Sequence, residues 1–268
     1  MNNDHRQPQQ SSRQFVRELR SLAEVEPPKG LLPAVLRELG LADTFFSIES
    51  QLGPLLIAYN DRGIAAVGRG EDREAFVAGY AARCGRPLRI TPTSPSALSQ
   101  AIARRLRGEH ADLRFDLRGL SEFERATLLK ATEIPRGEIR PYAWIAREIG
   151  RPGAVRAVGS ALGRNPIPLL IPCHRIVRSD GLIGDYVFGN AMKRAVLSTE
   201  GLIPDEIERR ARARIRYHAS DTTRIYCFPT CHNARRITDP HLVTFASDAA
   251  AQTAGYRPCK ACRPAIAS

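Results

Sequence analysis

Long apolar runs and a secretory leader are both missing from the 268 residues of this chain. No stretch approaches the roughly 18 apolar residues that a membrane-spanning helix needs, so a membrane protein is not expected. The N-terminus, MNNDHRQPQQSSRQ, is polar and lacks the apolar centre of a signal peptide. A cytoplasmic protein is therefore expected, in which thiols stay reduced and paired cysteines more often bind metal than form disulfides.

Acidic residues are in the minority, and lysine is scarce among the basic ones. The chain has 28 Asp and Glu against 40 Lys and Arg, which gives a net charge of +12 and a pI near 10.0. Such a charge favours a polyanionic partner, because neutralising phosphates releases condensed counterions. A generally cationic, solvated surface would give the same net charge and pI, so charge alone does not show that the partner is a nucleic acid. The 43% of apolar residues is ordinary for a globular protein and argues against wholesale disorder.

Composition divides the chain into five segments, which predict a multidomain α+β protein. They are a polar N-terminal extension with two Leu-rich helical patterns, Phe15–Ala23 and Leu31–Leu41 (residues 1–43); a small α+β unit (44–110); a mostly helical unit (111–205); a basic linker, helical or frayed (206–216); and a cysteine-rich end (217–268).

The α+β unit begins with three short strand patterns, TFFSIES, GPLLIAYN and GIAAVGRG. A turn at Asn60–Gly63 is predicted to join the last two as a hairpin. Two helical patterns follow, and Ser94 or Ser96 is expected to cap the second of them. Cys84 ends the first helix and is expected to be an ordinary buried residue.

A helix-turn-helix spacing lies within the helical unit. Helices are predicted over Tyr142–Ile149 and Ala154–Leu162, and a sharp Gly-Arg-Pro-Gly turn separates them. The second helix is rich in Ala, Gly and Ser, which would let its backbone approach a groove closely. A tight contact between two helices would require the same small residues, so the spacing leaves both interpretations open.

Cys173 and His174 are the first candidates for chemistry. A nucleophilic cysteine reacts as its thiolate, and a neighbouring histidine that is oriented by a carboxylate can generate one at neutral pH. Glu200 is the candidate for that carboxylate. A lone Cys-His pair is more often structural, so the surrounding sequence has to decide.

From Arg136 to Gly201 the chain resembles the O6-alkylguanine-DNA alkyltransferases, through VRAVG, NPIPLLIPCHR and a downstream GxYxxGxxxK. The resemblance continues more weakly back to Thr44. It implies a ribonuclease-H-like α/β domain followed by a helical domain that carries the helix-turn-helix and the reactive cysteine. It also implies a monomer that binds the minor groove of alkylated double-stranded DNA, flips the damaged guanine into a pocket and reacts once.

Catalytic roles carry over from the resemblance to five positions. Cys173 matches the alkyl acceptor, His174 the base that takes its proton through a water, and Glu200 the carboxylate that holds this histidine. Tyr142 matches a tyrosine that helps to rotate the nucleotide and donates a hydrogen bond to the departing base. Asn165 matches an asparagine that shapes the turn before the acceptor.

The same resemblance implies a set of DNA-facing residues. Arg156 matches the residue that fills the gap left by the flipped base, and Tyr186 and Lys193 match pocket-side positions. The remaining expected DNA-side positions are Ala154, Ala157, Gly159, Arg175 and Tyr186. The pair Val187-Phe188 departs from family members that carry small residues there, and its bulk is expected to narrow the pocket.

Four of the six cysteines form two closely spaced pairs, Cys227 with Cys231 and Cys259 with Cys262, with 27 residues between the pairs. This spacing is typical of tetrahedral Zn²⁺ sites. A segment of about fifty residues has too small a core to fold well without a metal or another cross-link. A disulfide interpretation is disfavoured in the cytosol.

The sequences RYHASDTTRIYCFPTCHNARR and GYRPCKACRP resemble the metal-binding, methylphosphotriester-accepting domain of Ada-type repair proteins. The resemblance implies that Cys227 is both a zinc ligand and a methyl acceptor, and that Arg235 and Arg236 contact DNA. The alternative is a purely structural zinc knuckle that docks on DNA or protein. The Ada pattern places this domain first, and here it comes last, so transcriptional activation is not expected.

These features predict a suicide DNA-repair protein of the cytoplasm, associated with the nucleoid. Two other classes of function compete with it. A damage sensor related to the alkyltransferases binds alkylguanine without an acceptor, and the presence of Cys173 argues against that class. A regulator whose DNA affinity changes on methylation is the second alternative.

Zinc dependence of the C-terminal segment is directly testable. Residues 217–268, prepared alone, should fold only with zinc, because four thiolates and a thin core offer no other source of stability. Circular dichroism during thermal melting should show a cooperative transition with zinc and none after chelation. A cooperative transition that chelators do not affect would contradict the zinc assignment.

Overall fold

The computed structural model describes residues 31, 35, 36, 39, 41–91 and 94–264. Within them the chain is a mixed α+β protein with two four-stranded sheets. Leu31, Val35 and Leu36 are helical, in agreement with the helix predicted over Leu31–Leu41. The pattern at Phe15–Ala23 lies outside the described residues.

The first sheet has the strand order β3-β2-β1-β4. Its strands are β1 (Asp43–Ile48), β2 (Leu55–Asn60), β3 (Gly63–Arg69) and β4 (Leu88–Ile90). Strands β1, β2 and β3 form an antiparallel meander, and β4 pairs in parallel with β1. Asn60 pairs with Gly63, which confirms the predicted two-residue hairpin turn.

Both faces of this sheet are buried. Successive side chains of a strand point to opposite faces, so Phe45 packs with Tyr80 of α1 (Arg73–Cys84) while Phe46 enters the main core. The main core also takes Ile102 from α2 (Ser96–Arg107).

Two predictions for this unit are wrong: the serine cap of α2 and the full burial of Cys84. Pro95 occupies the N-cap of α2, and no side chain caps this helix. Proline already holds φ near its helical value, so the helix begins at the next residue and Ser96 lies inside it. Cys84 is half-buried at the end of α1, where it packs against the edge of the small cluster around Tyr80.

The helical unit surrounds the short parallel pair β5 (Arg140–Pro141) and β6 (Ile176–Val177). Its helices are α3 (Glu122–Thr132), α4 (Tyr142–Glu148), α5 (Val155–Gly163), α6 (Asn190–Thr199) and α7 (Pro204–Arg212). The predicted pair of helices around the Gly-Arg-Pro-Gly turn is therefore present as α4 and α5. Helix α7 is continuous through the boundary that the sequence predicted between residues 205 and 206.

The cysteine-rich end forms the second sheet, with the order β10-β8-β7-β9. Its elements are β7 (Tyr217–Ser220), β8 (Ile225–Cys227), β9 (Leu242–Phe245), α8 (Asp248–Thr253) and β10 (Arg257–Pro258). A small core of Ala219, Tyr226, Ala251 and Tyr256 lies beneath the sheet.

This C-terminal unit is docked on the helical unit. One apolar cluster runs from the first sheet through Trp144 to Phe228 and the four cysteines. The indole Nε1 of Trp144 donates a hydrogen bond of 3.0 Å to the carbonyl oxygen of Cys262. Across the described ranges, no helix has the length and apolar character needed to cross a membrane.

Candidate active site and metal centre

Cys173 begins a short 3₁₀ turn, Cys173–Arg175, that follows Pro172 and leads into β6. The residue is 5% exposed. Asn165 holds its sulfur: Nδ2 of Asn165 donates to Sγ of Cys173 at 3.0 Å and to the carbonyl oxygen of Ile171 at 3.0 Å. Oδ1 of Asn165 accepts from the N–H of Ile167 at 2.9 Å. Asn165 therefore closes the turn before the acceptor, as predicted, and also orients the thiol.

Behind the thiol, His174 and Glu200 form the predicted pair. Nε2 of His174 lies 3.0 Å from Oε1 of Glu200, which sits at the C-cap of α6. Arg175 donates from Nη2 to the same oxygen at 2.7 Å and from Nη1 to the carbonyl oxygen of Ile134 at 2.7 Å. The N–H of Gly137 donates to Oε2 of Glu200 at 3.2 Å. The carboxylate is thus held from two sides.

Burial controls the protonation of these groups. Burial alone would raise the pKa of Glu200, but hydrogen bonds from His174 and Arg175 hold this pKa at about 2. Burial lowers the pKa of His174, and Glu200 only partly offsets the effect. Burial raises the pKa of the Cys173 thiol to about 11, against the opposing hydrogen bond from Asn165. At neutral pH the pair is a thiol beside a neutral imidazole, so the thiolate must form by proton transfer.

A cavity of about 280 Å³ opens onto Cys173. It is lined by Tyr142, Gly159, Leu162, Gly163, Asp185, Tyr186 and Val187. Val187 lines the cavity as expected. Phe188 does not: its ring packs edge-on against Tyr186, with a centroid separation of 5.7 Å. Tyr142 is half-buried. Burial is the main cause that raises the pKa of its hydroxyl, and the nearby Cys173 raises this pKa further.

Helix α5 presents its small-residue face to solvent beside this cavity. Arg156 and Ala157 are exposed, whereas Ala154 and Gly159 are half-buried. Arg156 has the free, outward position that a DNA-contacting residue requires. Its role and that of its three neighbours stay predictions.

Two residues expected on the DNA side do not lie on an open surface. The side chain of Arg175 is 12% exposed and bonds to Glu200 and Ile134, and its contact with DNA stays a prediction. Tyr186 has a buried hydroxyl and packs edge-on against His174 at 6.2 Å, so it forms the wall of the cavity. Lys193 is fully buried beneath the cavity and donates to the carbonyl oxygens of Ile176, Ile183 and Asp185 at 2.6, 2.7 and 3.2 Å.

The four cysteines of the C-terminal unit come together. Each is at most 4% exposed, and the sulfurs of Cys227, Cys231, Cys259 and Cys262 all lie within 4.8 Å of one another. Four buried thiolates are the donor set of a structural Zn²⁺ site. Amide groups support three of the sulfurs: Asn233 and Ala234 donate to Cys231, Asn233 and Ala261 to Cys259, and Phe228 to Cys262. The residues present fit zinc.

A second cavity, of about 560 Å³, opens onto this cluster at Cys227 and Cys259. Its basic lining residues are Arg236, Arg257 and Lys260, and its threonines are Thr222, Thr223 and Thr238. Arg236 lines the same cavity as Cys227, and its contact with DNA stays a prediction. Arg257 and Lys260 were missed, although the motif GYRPCKAC contains both of them. Arg235 does not line this cavity and donates instead to the carbonyl oxygen of Gly137, and its contact with DNA stays a prediction.

Two sequence families match consecutive parts of the chain. The DNA-binding domain of 6-O-methylguanine DNA methyltransferase matches residues 122–202, and the metal-binding domain of Ada matches residues 207–265. A methylated-DNA–protein-cysteine methyltransferase of Methanosarcina barkeri is 35% identical over 155 residues, which are 57% of this chain and 94% of that protein. The corresponding protein of Mycolicibacterium paratuberculosis is 46% identical over 89 residues, 33% of this chain and 53% of that protein.

Among solved structures, Mycobacterium tuberculosis OGT in complex with DNA aligns with 31% identity and a TM-score of 0.50, over 61% of this chain and 98% of that one. Together, the buried Cys-His-Glu site and the four-cysteine zinc site define a cysteine-dependent transferase with a zinc-binding domain. The chain belongs to the methylated-DNA–protein-cysteine methyltransferase family. Its C-terminal part is a zinc-binding domain of the Ada type.

The lowered pKa of His174 predicts the pH profile of transfer to Cys173. The rate constant should be flat through neutral pH and fall only below the ordinary histidine pKa of about 6.5, because protonated His174 accepts no proton. Glu200→Gln should lower the plateau and move the acid limb to still lower pH, since Glu200 raises the pKa of His174. Single-turnover rates at saturating O6-methylguanine duplex measure both effects. An acid limb above pH 6.5 would count against His174 as the base.

Proposed function

We propose that the protein repairs alkylated double-stranded DNA at two cysteines, taking O6-alkyl groups of guanine on Cys173 and the methyl group of methylphosphotriesters on Cys227. The observation that carries the proposal is Cys173 itself, oriented by Asn165 at 3.0 Å within a cavity and adjacent to the His174–Glu200 pair. The family membership supports a suicide transfer at this site.

At Cys173 the thiol proton passes to His174, and Glu200 stabilises the imidazolium that results. The sulfur then attacks the alkyl carbon, so that an S–C bond forms while the C–O6 bond breaks. The bonding electron pair leaves with guanine O6, and Tyr142 donates a hydrogen bond to the departing base. The proton that His174 accepted is released and neutralises the guanine anion. Nδ1 of His174 is buried and has no hydrogen-bonding partner among the described residues, which leaves it free to accept a proton. The thioether product is stable, so each molecule reacts once.

Docking on DNA is assigned to the helix-turn-helix formed by α4 and α5. The exposed Arg156 and Ala157 and the half-buried Ala154 and Gly159 would enter the minor groove, and Arg156 would fill the gap left by the flipped guanine. The unit at residues 44–110 takes the role of the family's ribonuclease-H-like domain. The other proposed segments are 1–43, 111–205, 206–216 and 217–268, as the sequence predicts. The protein acts as a monomer in the cytoplasm, at the nucleoid.

Phosphotriester repair is assigned to the cavity over Cys227. Zn²⁺ bound by Cys227, Cys231, Cys259 and Cys262 would keep the acceptor sulfur ionised at neutral pH. The sulfur attacks the methyl carbon, an S–C bond forms, and the pair from the C–O bond restores a negative phosphate oxygen. Arg236, Arg257 and Lys260 line the cavity and would stabilise that charge and the neighbouring phosphates. The other sulfur on the cavity, Cys259, is hydrogen bonded by Asn233 at 3.4 Å, which reduces its nucleophilicity.

Intact-protein mass spectrometry tests both assignments. Duplex with O6-methylguanine should add one methyl group, located at Cys173, and methylphosphotriester DNA should add one at Cys227. Cys173→Ala should abolish the first transfer and leave the second, as well as DNA binding, largely intact. If Cys173→Ala still accepts the guanine methyl group, the assignment fails. If Cys227 stays unmodified while Cys173 reacts, the zinc domain is a structural knuckle.

Arg156→Ala separates base flipping from chemistry. The variant should lose roughly 100-fold in repair of duplex DNA, because nothing replaces the flipped base in the stack. Its reaction with free O6-methylguanine base should change less than threefold, since the exposed Arg156 lies outside the cavity around Cys173. The two rates, measured by transfer of a labelled methyl group, give the comparison. Equal losses on both substrates would contradict the role in flipping.

A further inference from the structure

Residues 137–140, here called the bridging segment, lie against the catalytic residues. The N–H of Gly137 donates to Oε2 of Glu200 at 3.2 Å. Arg140 pairs in parallel with Ile176, the residue that directly follows the turn containing Cys173 and His174. Gly137 has a φ of +72°, and a β-carbon there would lie 3.0 Å from the carbonyl oxygen of Glu200. The position of the bridging segment therefore decides whether Glu200 keeps its backbone hydrogen bond from Gly137, beside those from His174 and Arg175.

The zinc domain contacts every residue of the bridging segment from the other side. All of these contacts come from residues 228–235, in and next to the first zinc knuckle. Arg235 donates to the carbonyl oxygen of Gly137, and the N–H of His232 donates to Oε1 of Glu138 at 3.0 Å. Oγ1 of Thr230 accepts a hydrogen bond from the N–H of Ile139 at 2.9 Å. The guanidinium of Arg140 lies over the ring of Phe228, 5.1 Å from its centroid.

Zinc binding fixes the shape of this contacting loop. Cys227 and Cys231 bracket Thr230, and the N–H of Cys231 donates to the carbonyl oxygen of Phe228 at 3.0 Å. The N–H of Arg235 donates to the carbonyl oxygen of Cys231 at 3.1 Å. The side chains that hold the bridging segment are therefore anchored within four residues of a metal ligand.

We propose that Thr230 and Arg235 are positioning residues for the reaction at Cys173: they hold the bridging segment so that Gly137 keeps Glu200 aligned with His174. The inference rests on the proposed function of Cys173. Without the Gly137 N–H, Glu200 has only Arg175 and His174 as partners, and Arg175 can draw the carboxylate away from the imidazole. A misoriented His174 is a poorer base, and small displacements of a catalytic group from the reacting atoms lower the rate constant strongly.

Two pairs of variants test the proposal in the full-length, zinc-loaded protein. Thr230→Val removes the hydroxyl that accepts from Ile139 with little change of shape, and Thr230→Ser restores it. Arg235→Gln removes the contact to Gly137, and Arg73→Gln removes the same charge from the exposed start of α1. Three quantities are measured with O6-methylguanine duplex: the rate constant at saturating DNA, the final fraction of protein alkylated, and the affinity for DNA.

Thr230→Val and Arg235→Gln should each lower the saturating rate constant on the order of tenfold. The final alkylated fraction and the DNA affinity should remain at wild-type values, as should all three quantities for Thr230→Ser and Arg73→Gln. An unchanged rate constant overturns the proposal. A lower alkylated fraction at an unchanged rate constant means that the contacts only stabilise the fold. A loss of affinity alone means that Arg235 is a DNA contact after all.

Amide hydrogen exchange gives a readout that does not depend on repair. The amides of Gly137 and Ile139 should exchange at least tenfold faster in Thr230→Val and after zinc removal from the full-length protein, whereas Thr230→Ser should match wild type. Unchanged exchange after both treatments overturns the proposal. If wild-type protein transfers no alkyl group to Cys173, the proposed function fails, and the exchange data still show whether the zinc domain holds the bridging segment.

Discussion

The buried charge of Glu200 is the constraint on which the catalytic half of the molecule depends. Its side chain is only 7% exposed, and a carboxylate so far from water must be surrounded by donors. Those donors come from separate parts of the chain: His174 and Arg175 from the turn after Pro172, and Gly137 from the bridging segment. Removing one partner of a buried charge costs several kcal/mol. The turn that carries Cys173 is therefore held in place by the same interactions that activate it.

The two sulfurs that the proposed function makes reactive lie in different electrostatic environments. Cys173 is kept as a thiol by burial, with a pKa raised to about 11, and becomes nucleophilic only as His174 takes its proton. A protonated, buried thiol is inert toward oxidants and adventitious electrophiles. Cys227 lies in a cluster of four sulfurs under a cavity with basic walls, where bound Zn²⁺ would take the place of a general base. In the proposed function, one chain would thus combine a thiol that loses its proton during the reaction with one that a metal would keep ionised.

Much of the catalytic site could be predicted from the chemistry of Cys173, His174 and Glu200 and from the resemblance to the alkyltransferases. That resemblance also pointed to Asn165, and the hydrogen bonds from Asn165 to Cys173 and between His174 and Glu200 agree with it. The intramolecular bonds of Arg175 and Arg235 could not be predicted for a common reason: the identity of a neighbouring residue does not say to which side a long side chain turns. In both cases the guanidinium bonds to the protein interior rather than to an external partner. The docking of the zinc domain could not be predicted, since pairings such as Trp144 with Cys262 join positions far apart in the chain and leave no periodic signal.

The hydrogen bond from Asn165 to Cys173 has a consequence for the spent protein. Once the sulfur carries an alkyl group, it is a thioether, a weaker acceptor with less room around it. The amide of Asn165 then loses most of its hydrogen bond to the sulfur at a position that is 3% exposed. A buried donor left without an acceptor costs about 1–3 kcal/mol. Each completed repair therefore leaves behind a less stable molecule, which proteases can distinguish from an unused one by its more frequent unfolding.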